Sequence, residues 1–196
     1  MNIRPRSPVN RMPEVDLPLI DGELVSAGAW RFEVIETNGH AVAHHCFYSR
    51  DGALLISGDQ VLPTISPNIS LACADWGQDP LGDFLASLAR LERLPESTLV
   101  LPSHGRPFRG LRARTVDLRA HHEEHLATLR GRLRQPQSAF ALMPILFGRP
   151  LQGLHQMLGL HECIAHLEHL VRRQEAVRRT GADGAHRYNA SGQTLA

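Results

Sequence analysis

The chain has 196 residues, 42% of them hydrophobic, and its 21 basic residues nearly balance 20 acidic ones. These values are typical of a globular protein with one good core and a small second one, and they exclude a largely disordered chain. Because no run approaches about 18 consecutive apolar residues, we predict no membrane span. The N-terminal residues lack the apolar region of a signal peptide, so we predict a cytoplasmic protein.

Two compositional features bear on partners and redox state. All basic residues are arginine, and the net charge is −6 over residues 1–104 but +7 over residues 105–196. The basic half raises nucleic-acid binding as an alternative, but its arginines are spread over several elements, which favours solvated faces. Three widely spaced cysteines without a Cys-x-x-Cys pair (Cys46, Cys73 and Cys163) predict reduced thiols.

The N-terminal half predicts an arm followed by a strand-rich domain. Residues 1–20 contain four prolines and predict an extended arm. Residues 21–110 predict a β-meander and then a strand-helix-strand unit. The predicted strands lie at 24–25, 32–35, 44–48, 54–56 and 98–101, and the predicted helix at 80–94.

Three polar side chains follow apolar runs in this half. His40, Asp59 and His104 each stand just after a predicted strand and next to a glycine, which suits a sharp turn into a shared cleft. Two imidazoles and a carboxylate suit zinc, and also iron or manganese, and the carboxylate can bridge two ions. The alternative is two loop histidines and a turn, which composition alone favours.

The motifs around these residues carry a family resemblance. The segments at 37–40 (Thr-Asn-Gly-His), 58–63 (Gly-Asp-Gln-Val-Leu-Pro) and 99–105 (Leu-Val-Leu-Pro-Ser-His-Gly) resemble the later metal-binding motifs of the metallo-β-lactamase superfamily of hydrolases. Residues 65–70 and 79–88 resemble its branch with a small helical C-terminal domain. The resemblance covers roughly residues 21–190.

The resemblance implies a fold and an activity. The expected fold is α+β: the second half of an αββα metallo-β-lactamase sandwich, then a winged-helix-like α-helical domain with a β-hairpin. The expected activity is hydrolysis of a small ester, thioester or lactone by a hydroxide bound to two zinc ions. His40 and His104 would each hold one ion, and Asp59 would bridge both ions and orient the nucleophile. His44 would lie next to the metal ligands without binding an ion. Asn68 would contact substrate or only form a turn.

One departure from the family pattern is large. The first motif, His-x-His-x-Asp-His, is absent from the sequence, so the chain supplies three of the family's seven ligands. We therefore expect either the C-terminal part of a longer enzyme, or a non-catalytic half-fold or nucleic-acid-binding module. The three ligands alone should bind zinc weakly.

The C-terminal half predicts three helices, at 111–133, 139–147 and 151–173, and a hairpin at 175–188. This outline predicts a semi-independent winged-helix-like domain at 111–190 with a tail at 191–196, which would cover the site or form a homo-oligomer. An i, i+4 pair such as His121 and His125 could bind metal, but His121, His122 and His125 miss the His-Glu-x-x-His spacing and are interpreted as solvated helix residues. Residues 161–166 (His-Glu-Cys-Ile-Ala-His) are another near miss.

Overall fold

The computed structural model describes residues 18–72 and 77–192. Most of the predicted arm, Cys73 and residues 193–196 of the tail lie outside these ranges. The strands are β1 (Leu24–Ala27), β2 (Trp30–Thr37), β3 (His44–Ser49), β4 (Leu54–Gly58), β5 (Leu99–Pro102), β6 (Ala176–Thr180) and β7 (His186–Ala190). The helices are α1 (Pro80–Leu91), α2 (Leu111–Arg130), α3 (Ala139–Leu146) and α4 (Gly153–Arg172).

The first five strands form one sheet in chain order, so the predicted meander is confirmed. Strands β1 to β4 pair antiparallel, and β4 pairs with β5 in parallel. The parallel pair requires a crossover, which α1 provides. Because β4 and β5 run in the same direction, the residues that follow them, Asp59 and His104, emerge at the same end of the sheet.

Helix α1 begins and ends where its sequence dictates. Asp79 is the N-cap and accepts a hydrogen bond from the Gly82 amide at 3.0 Å, and Pro80 occupies the first turn, where its missing N–H is harmless. The predicted helix at 80–94 is too long, since α1 ends at Leu91. The chain closes there with tight turns such as Leu94 N to Leu91 O, because Pro95 disfavours helical backbone before it.

One face of the sheet and all four helices share an apolar core. Tyr48, Leu55 and Val100 from the sheet belong to the same buried cluster as Phe84 of α1 and Leu126 of α2. Burial of each large apolar side chain contributes about 1.5–3 kcal/mol. The core is therefore continuous between the sheet and the C-terminal helices, and the predicted division at residue 110 stays a prediction.

The opposite face of the sheet carries apolar side chains outside this core. Phe47, Ile56 and Leu101 are register partners across β3, β4 and β5, and none of them belongs to the buried cluster formed by the described residues. Ile56 is 37% exposed. In the sandwich that the sequence predicts, this face would take a second sheet. Homo-oligomer formation stays a prediction.

The C-terminal region consists of the three predicted helices and the predicted hairpin. The hairpin packs on the helices through Tyr188, whose hydroxyl donates to Glu168 at 2.7 Å and whose backbone pairs with Gln137. These elements confirm the mixed α+β class. The winged-helix assignment stays a prediction.

Two further predictions from composition can be compared with the structure. Within residues 18–72 and 77–192, every helix is too short or too polar to cross a membrane. Cys46 and Cys163 are buried free thiols, as predicted, and burial raises the pKa of each to about 12. Both thiols are therefore protonated at neutral pH.

Candidate metal centre

The three predicted ligand residues lie together at one end of the sheet. Asp59 stands between the two imidazoles, with Oδ2 3.6 Å from His40 Nε2 and Oδ1 3.3 Å from His104 Nε2. His40 comes from the β2–β3 loop, Asp59 follows β4 and His104 follows β5. We call these three residues the strand-end cluster. It is open to solvent, since the His40 and Asp59 side chains are about a third exposed and His104 is 68% exposed.

The backbone around Asp59 is held by close contacts. Gly58 has a φ of +53°, and an alanine Cβ there would lie 2.5 Å from His44 Nε2. The Ser103 hydroxyl donates to Asp59 Oδ1, and the Ser103 amide donates to the Gly58 carbonyl at 3.0 Å. Glycine is therefore required at position 58 both for its backbone conformation and for space.

The orientation of His40 fits a metal ligand. Its Nδ1 lies 2.9 Å from the Asn68 carbonyl oxygen, which can only accept, so Nδ1 carries the proton and Nε2 presents a lone pair toward Asp59. This is how metal-binding histidines are usually fixed by a neighbouring acceptor. The donor set of two imidazole nitrogens and one carboxylate therefore fits a divalent transition metal.

His44 lies beside the strand-end cluster rather than within it. Its Nδ1 is 2.8 Å from the Thr37 hydroxyl, and its Nε2 faces Gly58. Burial lowers the pKa of His44, and nearby His40 lowers it further, against the opposite effect of Asp59. His44 is thus a neutral imidazole that packs behind the turn carrying Asp59.

The loop after Asp59 is anchored to the helices. Arg114 of α2 donates to the Leu62 carbonyl at 2.6 Å and to the Ile65 carbonyl at 2.9 Å. The Leu71 amide donates to the His161 carbonyl at 3.2 Å. A pocket lined by His40, Leu71 and Asp83, among others, lies against this loop. The C-terminal helices therefore help to position the loop that borders the cluster.

Asn68 connects this loop to α4. Its carbonyl accepts from His40, while its side-chain Nδ2 donates to Glu162 Oε2 at 2.7 Å and its Oδ1 accepts from the Ser70 hydroxyl. Its side chain is thus occupied by protein partners. The predicted contact with substrate stays a prediction.

A second group of chemically reactive side chains lies between α2 and α4. His122, His125, Glu162 and His166 each offer one ligand atom, and these atoms lie within 4.8 Å of one another. We call these four residues the helix cluster. The prediction of solvated histidines on α2 is wrong for His122, which is fully buried, and His125 is only partly exposed.

The sequence did contain a signal for this burial. The buried residues of α2 recur every three or four positions, and His122 stands within that series: Leu111, Thr115, Leu118, His122, Leu126 and Leu129. A polar residue inside an apolar helical stripe is buried with the stripe. His166 is also buried, within the continuous buried run of α4 from Glu162 to Leu170.

Sequence comparisons match both halves of the chain. The model for the metallo-β-lactamase superfamily matches residues 4–104, and the model for the metallo-β-lactamase-like C-terminal domain matches residues 126–191. A protein from Cereibacter sphaeroides named hydroxyacylglutathione hydrolase is 32% identical over 95 residues, which cover 48% of this chain and 34% of that protein. One of the same name from Rhizobium etli is 32% identical over 114 residues, or 56% and 42%.

Two solved structures are similar over most of this chain. A β-lactamase domain protein from Burkholderia ambifaria is 39% identical with a TM-score of 0.89, covering 92% of this chain and 54% of that one. A metallo-β-lactamase family protein from Thermus thermophilus is 35% identical with a TM-score of 0.79, covering 91% and 55%. The chain therefore spans about half the length of these structures, and still less of the curated relatives above.

Proposed function

The chain belongs to the metallo-β-lactamase superfamily, and we propose that its strand-end cluster forms part of the metal site of a hydrolase. The observation that carries the proposal is the position of Asp59, whose two carboxylate oxygens face one imidazole each. A carboxylate placed in this way suits a bridge between two ions.

Each residue of the cluster has a distinct task in this proposal. His40 and His104 would each hold one zinc ion, and Asp59 would contact both ions and orient the attacking water. A bound zinc ion supplies Lewis acidity, which lowers the pKa of water toward about 7. Asn68 fixes the tautomer of His40 through its carbonyl, and the Ser103 hydroxyl donates to Asp59 Oδ1, the oxygen that faces His104.

We propose a small ester or thioester as the substrate. The relatives named hydroxyacylglutathione hydrolase support this class, since that name describes hydrolysis of a thioester. The pocket beside His40 offers room for a small molecule next to the cluster. The cytoplasmic location stays a prediction from the sequence.

The ion pairs of the basic half argue against nucleic-acid binding as the main function. Five arginines of residues 105–196 pair with acidic side chains of this chain, among them Arg119 with Glu92 and Arg130 with Glu175. Paired guanidinium groups are less available to phosphates.

The test restores the ligands that the sequence lacks. A segment carrying His-x-His-x-Asp-His from a full-length member of the superfamily would be joined ahead of this chain. We expect the folded chimera to bind zinc and hydrolyse a hydroxyacylglutathione thioester. His40→Ala, Asp59→Ala and His104→Ala should each abolish turnover, since even residues that only orient a metal ligand contribute about 10–100-fold. His155→Ala, at an exposed position of α4, should leave turnover unchanged.

Two outcomes would contradict the proposal. A folded chimera that takes up zinc but hydrolyses neither esters nor thioesters would refute the reaction. Turnover that survives all three alanine substitutions within about twofold would refute the assignment of the ligands.

A further inference from the structure

The helix cluster has the composition of a metal site but lies apart from the strand-end cluster. It joins two residues of α2, His122 and His125, to two residues of α4, Glu162 and His166. His122 and His166 are fully buried and Glu162 is 7% exposed. Three imidazoles and one carboxylate form a complete four-ligand set of the kind that zinc and other late transition metals take.

The spacing of the donor atoms is close to what a tetrahedral ion needs. Ligand atoms about 2.0–2.2 Å from a zinc ion lie roughly 3.3–3.6 Å apart. His122 Nδ1 and His166 Nε2 are already 3.1 Å apart, and all four donors lie within 4.8 Å of one another. Small side-chain rotations would therefore bring the set around one ion.

The hydrogen bonds leave lone pairs directed into the cluster. His166 Nδ1 donates to the Glu162 carbonyl at 2.8 Å, so His166 Nε2 carries a lone pair. His122 Nε2 lies 3.3 Å from the Ser66 hydroxyl. The hydroxyl can donate to Nε2 or accept from it, so it is a hydrogen-bond partner for either tautomer of His122. His122 can thus free Nδ1 for a metal without losing a partner.

One ring nitrogen of the helix cluster has no hydrogen-bond partner among the described residues. His125 Nδ1 is buried and makes no hydrogen bond. A buried polar atom without a partner destabilises the folded chain, and an ion bound by it would remove this cost.

The protonation states also suit a metal. Burial lowers the pKa of His122 to about 2, of His125 to about 4 and of His166 to about 3, so all three imidazoles are neutral at pH 7. Burial raises the pKa of Glu162 to about 7, in spite of the hydrogen bond from Asn68. A divalent cation would favour the ionised carboxylate.

We propose that His122, His125, Glu162 and His166 bind one divalent transition metal ion, of which zinc is the best fit, at a site separate from the strand-end cluster. The ion ties α2 to α4 and thereby stabilises the C-terminal helices. The ion also affects the position of His40 in the strand-end cluster, because Asn68 is hydrogen-bonded to both Glu162 and His40. Asn68 lies between the two clusters as their shared hydrogen-bond partner.

The experiment uses the full chain with the strand-end cluster removed. In a protein carrying His40→Ala, Asp59→Asn and His104→Ala, titration with Zn²⁺ alone should give one ion per chain. Titration with Co²⁺ should give the intense visible absorption of tetrahedral coordination, and Zn²⁺ should raise Tm. In that background Glu162→Gln, which retains the acceptor for Asn68, and His125→Ala should each weaken binding at least tenfold, while His155→Ala should not.

The outcomes separate this proposal from the proposed function. No stoichiometric uptake by the triple variant would overturn the helix-cluster site and leave the strand-end cluster untouched. Uptake that neither Glu162→Gln nor His125→Ala weakens would overturn the ligand assignment. The titration of the triple variant leaves all four residues of the helix cluster unchanged. A negative result in that titration therefore overturns the proposal even if Glu162→Gln or His125→Ala misfolds.

Discussion

The two clusters bring histidines and a carboxylate together by different means. The strand-end cluster takes one residue from each of three loops at the end of a sheet, and its His104 is 68% exposed. The helix cluster takes two residues from each of two helices and buries them. The first depends on where strands end, and the second on how two helices pack. Only the first leaves short recognisable motifs in the sequence, one around each of its residues.

The two clusters also differ in the free energy that burying their polar groups costs on folding. Asp59 and its two imidazoles remain partly exposed to water. In the helix cluster, burial disfavours every charged form, so it lowers the pKa of the histidines and raises that of Glu162. We therefore expect residues of the helix cluster to matter more for stability, and residues of the strand-end cluster more for activity.

The sharpest test of this difference compares one histidine from each cluster. In EDTA, His122→Ala should lower the free energy of unfolding by about 2–4 kcal/mol, because it opens a cavity and removes the hydrogen-bond partner of the buried His166 Nε2. His104→Ala should change it by less than about 0.5 kcal/mol, since the side chain is mostly exposed. Urea unfolding followed by circular dichroism measures both. Equal losses would show that burial does not distinguish the clusters.

A smaller effect concerns the turn that carries Asp59. Gly58→Ala should cost about 1–2 kcal/mol from its left-handed backbone and about 1 kcal/mol more from the approach of the new methyl group to His44. Gly184→Ala is the matched control, because its φ is +76° and nothing lies within 4 Å of the added Cβ. Adding His44→Ala should remove the steric part. A loss that His44→Ala leaves unchanged would contradict the packing of His44 against Gly58.

The smallest predicted effect tests a contact between α1 and α4. His169 Nδ1 lies 3.0 Å from the Asp79 carboxylate, and this hydrogen bond, together with the Gly82 amide, lowers the pKa of Asp79 although burial acts to raise it. Nearby Arg172 lowers this pKa as well. Because the pKa of Asp79 is lower in the folded chain than in the unfolded chain, its charge stabilises the folded protein above the unfolded-state pKa of about 3.8. This contribution is lost as the pH falls below that value and through the folded-state pKa.

Asp79→Asn keeps the helix cap and removes the charge, so it isolates that contribution. The difference in unfolding free energy between the wild type and Asp79→Asn should shrink as pH falls from about 5 to 3. Asp83 titrates nearby, and its pKa is raised by burial and by the charge of Asp79, which the substitution removes. Both proteins are therefore compared with Asp83→Asn in place, so that the titration of Asp83 does not enter the difference. A difference that grows toward pH 3 would contradict the direction of the Asp79 shift.

Local patterns were sufficient to predict most of the elements. Alternation and turn residues predicted β2 to β4, and the spacing of Leu81, Phe84 and Leu88 predicted the buried face of α1. The end of α1 was predicted three residues too late, because the apolar spacing continues to Leu94 while Pro95 ends the helix. The spacing of apolar residues predicts which face of a helix is buried, but not the residue at which its backbone hydrogen bonds end.

The positions of the three residues of the strand-end cluster could be predicted because strand ends are readable from the sequence. A short apolar run followed by glycine and a ligand residue predicts both the strand and the turn, and parallel pairing of β4 with β5 then brings Asp59 and His104 to one edge. Their roles as ligands came from the family resemblance, not from the spacing, and they stay a proposal.

What the sequence alone determined is the order of the elements, the residues at the strand ends and the family. What only the tertiary structure decided is the helix cluster and its link to the strand-end cluster. His122 and His166 lie 44 positions apart, and Asn68 and Glu162 lie 94 apart. No local pattern specifies such distances, because they depend on the packing of α2 on α4 and of the loop on both. Packing also decided that His122, a histidine in an apolar stripe, is buried and neutral rather than solvated.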